Sequence, residues 1–505
     1  MPTPPKTLKH LALVTLLSLA AVLSLAAKAT AAPWVETGDL RARHHIEALS
    51  ALGCFEGLTL TWPVNWSAVA RGLNGASEAC QASDHAAWLR ARLDRAKNQG
   101  RTATVSLGGA NDEPLFRHYG EQPRGEAEAS AAVTVTGRRF AARVRAQYVD
   151  NDREDREARL DGSYVAGRFG NWQLGAGAID RWWGPGWQSS LAWSNNARPV
   201  GGVWFARQTP YAPESRWLSW IGPWDLQGFI GQLEQDRAVP DTKLVGGRFT
   251  FRPAGFLQIG LTRLFQWGGE GRPESWDSFG DALAGKDNGQ TSGFADGQDP
   301  SNQVAGLDFR ASFPVFGVPT GLYGQAMGED EAGGLPSKFS TQLGVDVLTG
   351  LGEGSQRFFL EGSDTVAGRT FSDARYNTAY EHGTYKSGFR YYGRNLATTY
   401  EGDARTLTLG GQQFFRNGVV MTASVTAATL NAKGGKRAEI ADGGAEILQA
   451  SDEQDVVVTE LRLEHGLLGG RMSWSVAASD DTIDTFDGER EQVTAMARWQ
   501  RTFAW

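Results

Sequence analysis

The densest concentration of chemically useful side chains is Arg181-Trp182-Trp183-Gly184-Pro185-Gly186-Trp187, followed by Trp193 and by Ser194-Asn195-Asn196-Ala197-Arg198-Pro199. Indole faces stack on the C–H faces of sugar rings, an arginine fork holds a uronic-acid carboxylate, and asparagine amides bond sugar hydroxyls. Arg181, Trp182, Trp183, Trp187, Asn195, Asn196 and Arg198 are therefore candidate glycan contacts. A structural reading competes with this one. Tryptophan also anchors membrane barrels at the headgroup level, and a Trp-rich segment suits a lumen plug. Gly184-Pro185-Gly186 makes the backbone irregular in either case.

Catalytic patterns are missing from the sequence. It carries no H-E-x-x-H, G-x-S-x-G or C-x-x-C. His44-His45 is an adjacent pair, and adjacent helix positions do not face one site, so it reads as surface or core polar rather than as a metal pair. Carboxylates are abundant, but no nucleophile has a recognisable companion. No enzyme activity, metal or cofactor is expected.

The elements that must hold these residues are strands. In 139–148, Phe140, Ala142, Val144, Ala146 and Tyr148 share one face, and Arg143 and Arg145 lie on the other. Leu307, Phe309 and Phe313 likewise oppose Asp308 and Arg310. Leu343, Val345 and Val347 oppose Gln342 and Asp346, and Val457, Leu461 and Leu463 oppose Glu460 and Arg462. This period of two continues from about residue 101 to the end, with no helical layer to cover the apolar faces. A closed barrel with lipid outside and a polar lumen inside solves that problem and removes exposed edges. At roughly 22 residues per strand and connection, residues 101–505 allow about 18 strands. The inward charges Arg143, Arg145, Asp308, Arg310, Asp346, Arg390, Glu460 and Arg462 are of mixed sign. That favours a structural network over a selective pore lining. The long polar stretch from Gly268 to Asn302 reads as an extracellular loop or a plug.

Residues 33–100 have helical period instead. Trp66, Val69, Ala70 and Leu73 form one stripe with Asn65 at the N-cap; Ala86, Leu89 and Leu93 form another with Ser83 as cap; Ile46, Leu49 and Leu52 suggest a third helix. Before them, Lys6 and Lys9 precede an apolar run from Leu11 to Ala27 and an Ala29-Thr30-Ala31 site. Residues 1–32 therefore read as a signal peptide cut near Ala31 or Ala32, with an uncleaved anchor helix as the alternative. Export places Cys54 and Cys80 in an oxidising space, where they are expected to pair; two buried free thiols are the alternative.

Composition excludes other classes. The formal charge of −7 offers no basic excess for nucleic acid. Only 41% of residues are apolar and mean hydropathy is −0.36, too polar for a bundle of membrane helices. Aromatic residues at 10% argue against disorder.

At its motifs the chain resembles the Wzi-type capsule assembly proteins of the bacterial outer membrane. The shared residues are Asp180 to Trp187, Ser194 to Pro199, Gly285-Lys286-Asp287-Asn288, Gly306 to Arg310, Tyr380-Glu381-His382-Gly383-Thr384-Tyr385 and Gly388 to Arg394. Leu49 to Gly53 and Thr61-Trp62-Pro63-Val64 extend the match into the helical segment. The closing strand, ending in Phe503-Ala504-Trp505, resembles the aromatic terminal signal of outer-membrane barrels. Lys286 stands where the family more often has Arg, Phe389 where Tyr is usual, and Asn395 to Thr399 replace an Ile-Gly-His stretch. The resemblance implies a mainly β protein: an antiparallel 18-stranded transmembrane barrel over 101–505, its periplasmic mouth closed by a small α-helical bundle at 33–100. It implies a lectin-like role in attaching or assembling capsular or extracellular polysaccharide, without catalysis. It adds Tyr385, Arg390 and Arg394 to the candidate glycan contacts. The implied partners are surface polysaccharide, outer-membrane lipid and the outer-membrane barrel assembly machinery, around a monomeric barrel. The alternatives are a channel for sugars or oligosaccharides and an outer-membrane hydrolase or acyltransferase.

Overall fold

The computed structural model of the 505-residue chain describes residues 33–505 apart from 99, 152, 155, 285–300, 330, 333–334, 337, 351 and 437. The signal-peptide segment and the Gly285–Asn288 motif therefore lie outside the described residues.

Among the described residues, eighteen long antiparallel strands close on themselves, from Arg101–Ala110 to Val493–Ala504. A two-residue ladder, Ala158–Arg159, adds to the strand Phe140–Asp150. Closure is made by the last strand on the first, in register from Met496↔Ala110 to Ala504↔Thr102. The alternation sets the two faces. Leu343 is 59% exposed on the outer wall while Asp346 is 1% exposed inside. Phe140, Leu307, Leu360, Leu407 and Leu461 continue the outer apolar belt. An apolar belt around a polar interior is stable only when lipid surrounds it.

The two rims differ in loop length. At one end strands are joined by short turns, as between Val315 and Val318 or Leu467 and Gly470. At the other end the connections are long, and those at 111–126, 179–200 and 365–404 fold back into the lumen.

The N-terminal segment enters from the short-turn end. Its helices are α1 (Leu40–Ala51), α2 (Trp66–Asn74), α3 (Glu78–Gln81) and α4 (Asp84–Asn98). Asp39 caps α1 through the Ala42 amide, and the Ser83 hydroxyl accepts the Ala86 amide at the start of α4. Asn65 stands at the N-cap of α2 but makes no capping bond. Its amide reaches the Arg207 carbonyl instead, so a barrel contact has displaced the expected cap. Cys54 and Cys80 form a disulfide with their Cα atoms 5.4 Å apart. The Gly268–Asn302 stretch carries a helix, α5 (Trp276–Ala284), which its polar composition concealed.

Candidate functional site

The Trp-rich segment lies inside the barrel. Trp182–Trp183 pair with Thr61–Trp62 of the N-terminal segment as a two-stranded ladder, Trp182 opposite Trp62. The indole of Trp182 donates to Gly186 O at 3.1 Å. Trp183 packs edge-on against Trp193, with centroids 5.2 Å apart. A Cβ on Gly184, at φ +159, would displace the Ser190 hydroxyl and the Gln325 side-chain amide that stand against it.

A barrel carboxylate fixes the turn that follows. Glu361 accepts the backbone amides of Trp187 at 2.8 Å, and of Gln188 and Ser189 at 3.1 Å each. Tyr323 and Gln342 donate to the same carboxylate at 2.9 and 2.8 Å. Five donors around one buried anion leave the segment a single position.

Helix α1 seats on this turn. The Arg43 guanidinium lies 4.1 Å from the Trp187 ring centroid and 4.3 Å from that of Tyr119. It donates to Pro185 O at 2.6 Å and to Glu47 at 2.8 Å. Glu47 in turn faces Arg357 at 3.1 Å and Arg310 at 3.6 Å, and both arginines bind Asp346. A dicarboxylate, two barrel arginines and one helix arginine thus lock α1 across the lumen. Arg248–Asp308 at 2.8 Å and His118–Glu460 at 2.8 Å extend the internal pairing. Arg143 pairs with Glu36 at 2.9 Å and Arg462 with Glu464 at 2.7 Å, while Arg145 donates to the Ser130 hydroxyl at 3.1 Å; the inward charges expected from the sequence are thus held by internal partners, with one correction. Arg390 belongs to a short hairpin of the folded-in 365–404 loop rather than to a barrel strand.

The ten predicted contact residues share a fate: each is 9% exposed or less. Arg181 sits 4.4 Å from the Phe229 centroid and 5.3 Å from those of Trp193 and Trp204, with one bond to Ile179 O. Burial pushes its pKa down to about 9 against the pull of Asp180. Asn195 donates to Tyr119 O, and Asn196 to Asn395 O and Thr398 O. Arg198 forks onto Asp161 at 2.9 and 2.8 Å and reaches Glu154 at 3.0 Å. Tyr385 donates to Gly268 O at 3.2 Å. Arg390 binds Glu381 at 2.6 Å and Glu401 at 2.9 Å. Arg394 binds Glu113 at 2.8 Å and Asn196 at 3.2 Å. Burial by itself would raise the Glu113 carboxyl, but Arg153, Arg394 and Arg117 hold it well below the usual range. In this conformation these side chains are engaged by internal partners, and Arg394 to Asn196 joins two of the ten directly, so the sequence segments they come from are tied into a layer that fills the lumen under the long-loop rim.

The partners Arg43, Glu47, Glu113, Tyr119, Glu361 and Glu401 were not singled out from sequence, and Glu381 entered only as part of the Tyr380–Tyr385 motif. The loop carboxylates carry no periodic signal.

His44 and His45 also depart from expectation. They are buried, as a core reading requires, but they do come to one place. His85 of α4 inserts against them, its Nδ1 2.8 Å from His45 Nδ1. Adjacent positions of α1 do not converge on one point unaided; the third ring, from α4, closes the cluster.

A closed antiparallel barrel with an apolar outer belt, its lumen filled by its own N-terminal helices and inward-folded loops, defines a plugged outer-membrane β-barrel. Residues 95–495 match the family described as capsule assembly protein Wzi, and the chain belongs to that family. A Klebsiella pneumoniae relative, an uncharacterized 55.8 kDa protein in the cps region, is 34% identical over 347 residues, 68% of this chain and 67% of that one. The solved structure of Escherichia coli Wzi superposes with a TM-score of 0.79 at 26% identity, covering 93% of this chain and 99% of that one. That protein is described as an outer membrane protein involved in group 1 capsule assembly and as a carbohydrate-binding β-barrel.

Proposed function

We propose that this chain binds capsular or extracellular polysaccharide noncovalently at the outer membrane and helps attach or assemble it on the cell surface. One observation carries the reading: the long loops are locked by buried ion pairs into a lumen-filling layer, in a chain whose family relative is a carbohydrate-binding barrel. A rigid layer presents a fixed surface to a polymer, which lowers the ordering cost of binding it. The ten predicted residues serve that surface as its foundation, and the glycan meets the loop tips above them, where Trp276, Phe371 and Arg369 are exposed.

The short-turn end with its helices faces the periplasm, since periplasmic turns in such barrels are short. Residues 1–32 direct export and are cleaved, residues 33–100 act as the periplasmic plug, and the barrel assembly machinery inserts the chain as a monomer. The protein performs no catalysis. A sugar channel is disfavoured by the Glu47–Arg310–Arg357 lock across the lumen.

Deleting the gene and measuring cell-attached against shed polysaccharide tests the proposal. The attached fraction should fall, and an unchanged ratio overturns it. A planar bilayer separates the channel reading: the intact protein should give no steady open pore.

A further inference from the structure

We propose that His44, His45 and His85 form a binding site for a borderline transition-metal dication of the zinc class, joining helices α1 and α4 at the short-turn end of the barrel. One ring nitrogen from each histidine lies within 4.8 Å of the other two. The three ring centroids make a compact triangle with sides of 5.3, 5.5 and 5.0 Å. Three nitrogens on a tetrahedral zinc stand about 3.3 Å apart. The set therefore needs only side-chain adjustment, opening the 2.8 Å His45–His85 contact and drawing His44 in.

Three further observations point to a ligand. First, His44 Nδ1 is buried without a hydrogen-bond partner, an arrangement that carries a desolvation cost unless something is bound. Second, the rings are held. His44 stacks on Phe414 with centroids 4.0 Å apart, and His45 on Trp88 at 4.5 Å. His44 Nε2 bonds the Ser355 hydroxyl at 2.8 Å; when Nε2 carries the proton, Nδ1 keeps its lone pair free. That outer bond is the usual way a ligating histidine is oriented. Third, a cavity of about 530 Å³ lined by Arg41, His45, Asp84, His85 and Trp88 gives an entry path and room for water at a fourth position.

The donor set selects the ion. Imidazole suits zinc, copper, nickel and cobalt, whereas calcium and magnesium need oxygen cages. The nearby cations are already engaged. Arg357 is held by Glu47 and Asp346, Arg41 by the carbonyls of Phe415 and Val419, and Arg416 by Asp84. Their residual field lowers affinity without blocking the site. A bound ion would pin α1 to α4 and, through Ser355, to the barrel wall, holding the plug at its outer end.

The test uses the untagged full-length barrel in detergent, stripped with chelator and titrated with Zn²⁺ by calorimetry. One Zn²⁺ per chain is expected, with Kd below about 10 μM. His45→Asn and His85→Asn should each weaken it at least about 30-fold, while His465→Asn leaves it unchanged. Heat-modifiable gel migration checks that each variant retains the barrel. Because a variant can lose the plug, Co²⁺ added to the unaltered protein supplies an independent reading: visible d–d bands of a tetrahedral nitrogen site are expected. Absence of stoichiometric Zn²⁺ uptake, variants that bind as the parent does, or a Co²⁺ spectrum of the aqueous ion would each overturn the site and leave a histidine cluster in a packed core.

Discussion

The Glu361 carboxylate accepts the Trp187 backbone amide at 2.8 Å, joining residues 174 positions apart in the chain. A barrel-wall side chain thereby sets the course of the Trp-rich segment. Replacing Glu361 by Leu strands the amides of Trp187, Gln188 and Ser189 and removes the acceptor for Tyr323 and Gln342. Unmade buried hydrogen bonds cost about 1–3 kcal/mol each, so local destabilisation of at least about 3 kcal/mol is expected. Amide exchange across 181–200 should accelerate while the strand ladder stays protected, which mass spectrometry of labelled peptides reads directly.

Glu47 is the charge on α1 that answers two barrel arginines. In Glu47→Ala, Arg310 and Arg357 keep Asp346 as their one carboxylate partner among the described residues, and Arg43 loses its partner four residues on. Breaking one side of a buried pair costs roughly 3–5 kcal/mol because the remaining charge is left uncompensated. The helix should then dislodge intermittently. Planar-bilayer recordings of the variant are expected to show openings that the parent protein lacks, and a variant as quiet as the parent would mean that α1 is held mainly by its apolar contacts.

Asp403 gives the loop layer a pH dependence. It is buried just before the strand Arg405–Phe415. Burial, with Glu381 and Asp364 nearby, pushes its pKa from 3.8 up to about 7, against the Asn377 amide that donates to it. The folded state therefore binds the proton more tightly than the unfolded one. The stabilisation is complete below pH 3.8 and is lost as pH rises through 7. Between pH 5 and pH 8 the layer should lose roughly 2–3 kcal/mol. Exchange of 377–403 should be slower at pH 5 after correction for intrinsic rates, and Asp403→Asn should flatten that difference.

The barrel was readable because its wall obeys one rule. Strands such as Phe339–Thr349 alternate in and out, and Leu343, Val345 and Asp346 declare their sides from spacing alone. Helix α2 was readable through Trp66, Val69 and Leu73. The placement of the Trp-rich segment was not, since an indole suits a headgroup girdle, a sugar platform and a packed interior equally well. What decides among them is Glu361 in a distant strand and Arg43 on a helix far upstream. The histidine triad escaped for the same reason: His85 lies 40 positions from His45, and nothing in the spacing of either helix says that they touch. Pairings across the lumen are properties of closure, and local sequence periods carry no record of them.

Arg198 separates direct glycan contact from foundation. Its guanidinium is 9% exposed and is held by both oxygens of Asp161. A side chain that grips polysaccharide itself would make Arg198→Ala lose binding while Asp161→Asn retained it, because removing the carboxylate frees the fork. A foundation behaves otherwise: either change breaks the same bidentate pair and loosens the same loop. Comparable losses of polysaccharide binding are therefore expected from Arg198→Ala and Asp161→Asn, each accompanied by faster amide exchange in 151–163. Glycan binding that survives Asp161→Asn but not Arg198→Ala would move Arg198 from the base of the surface to the surface itself.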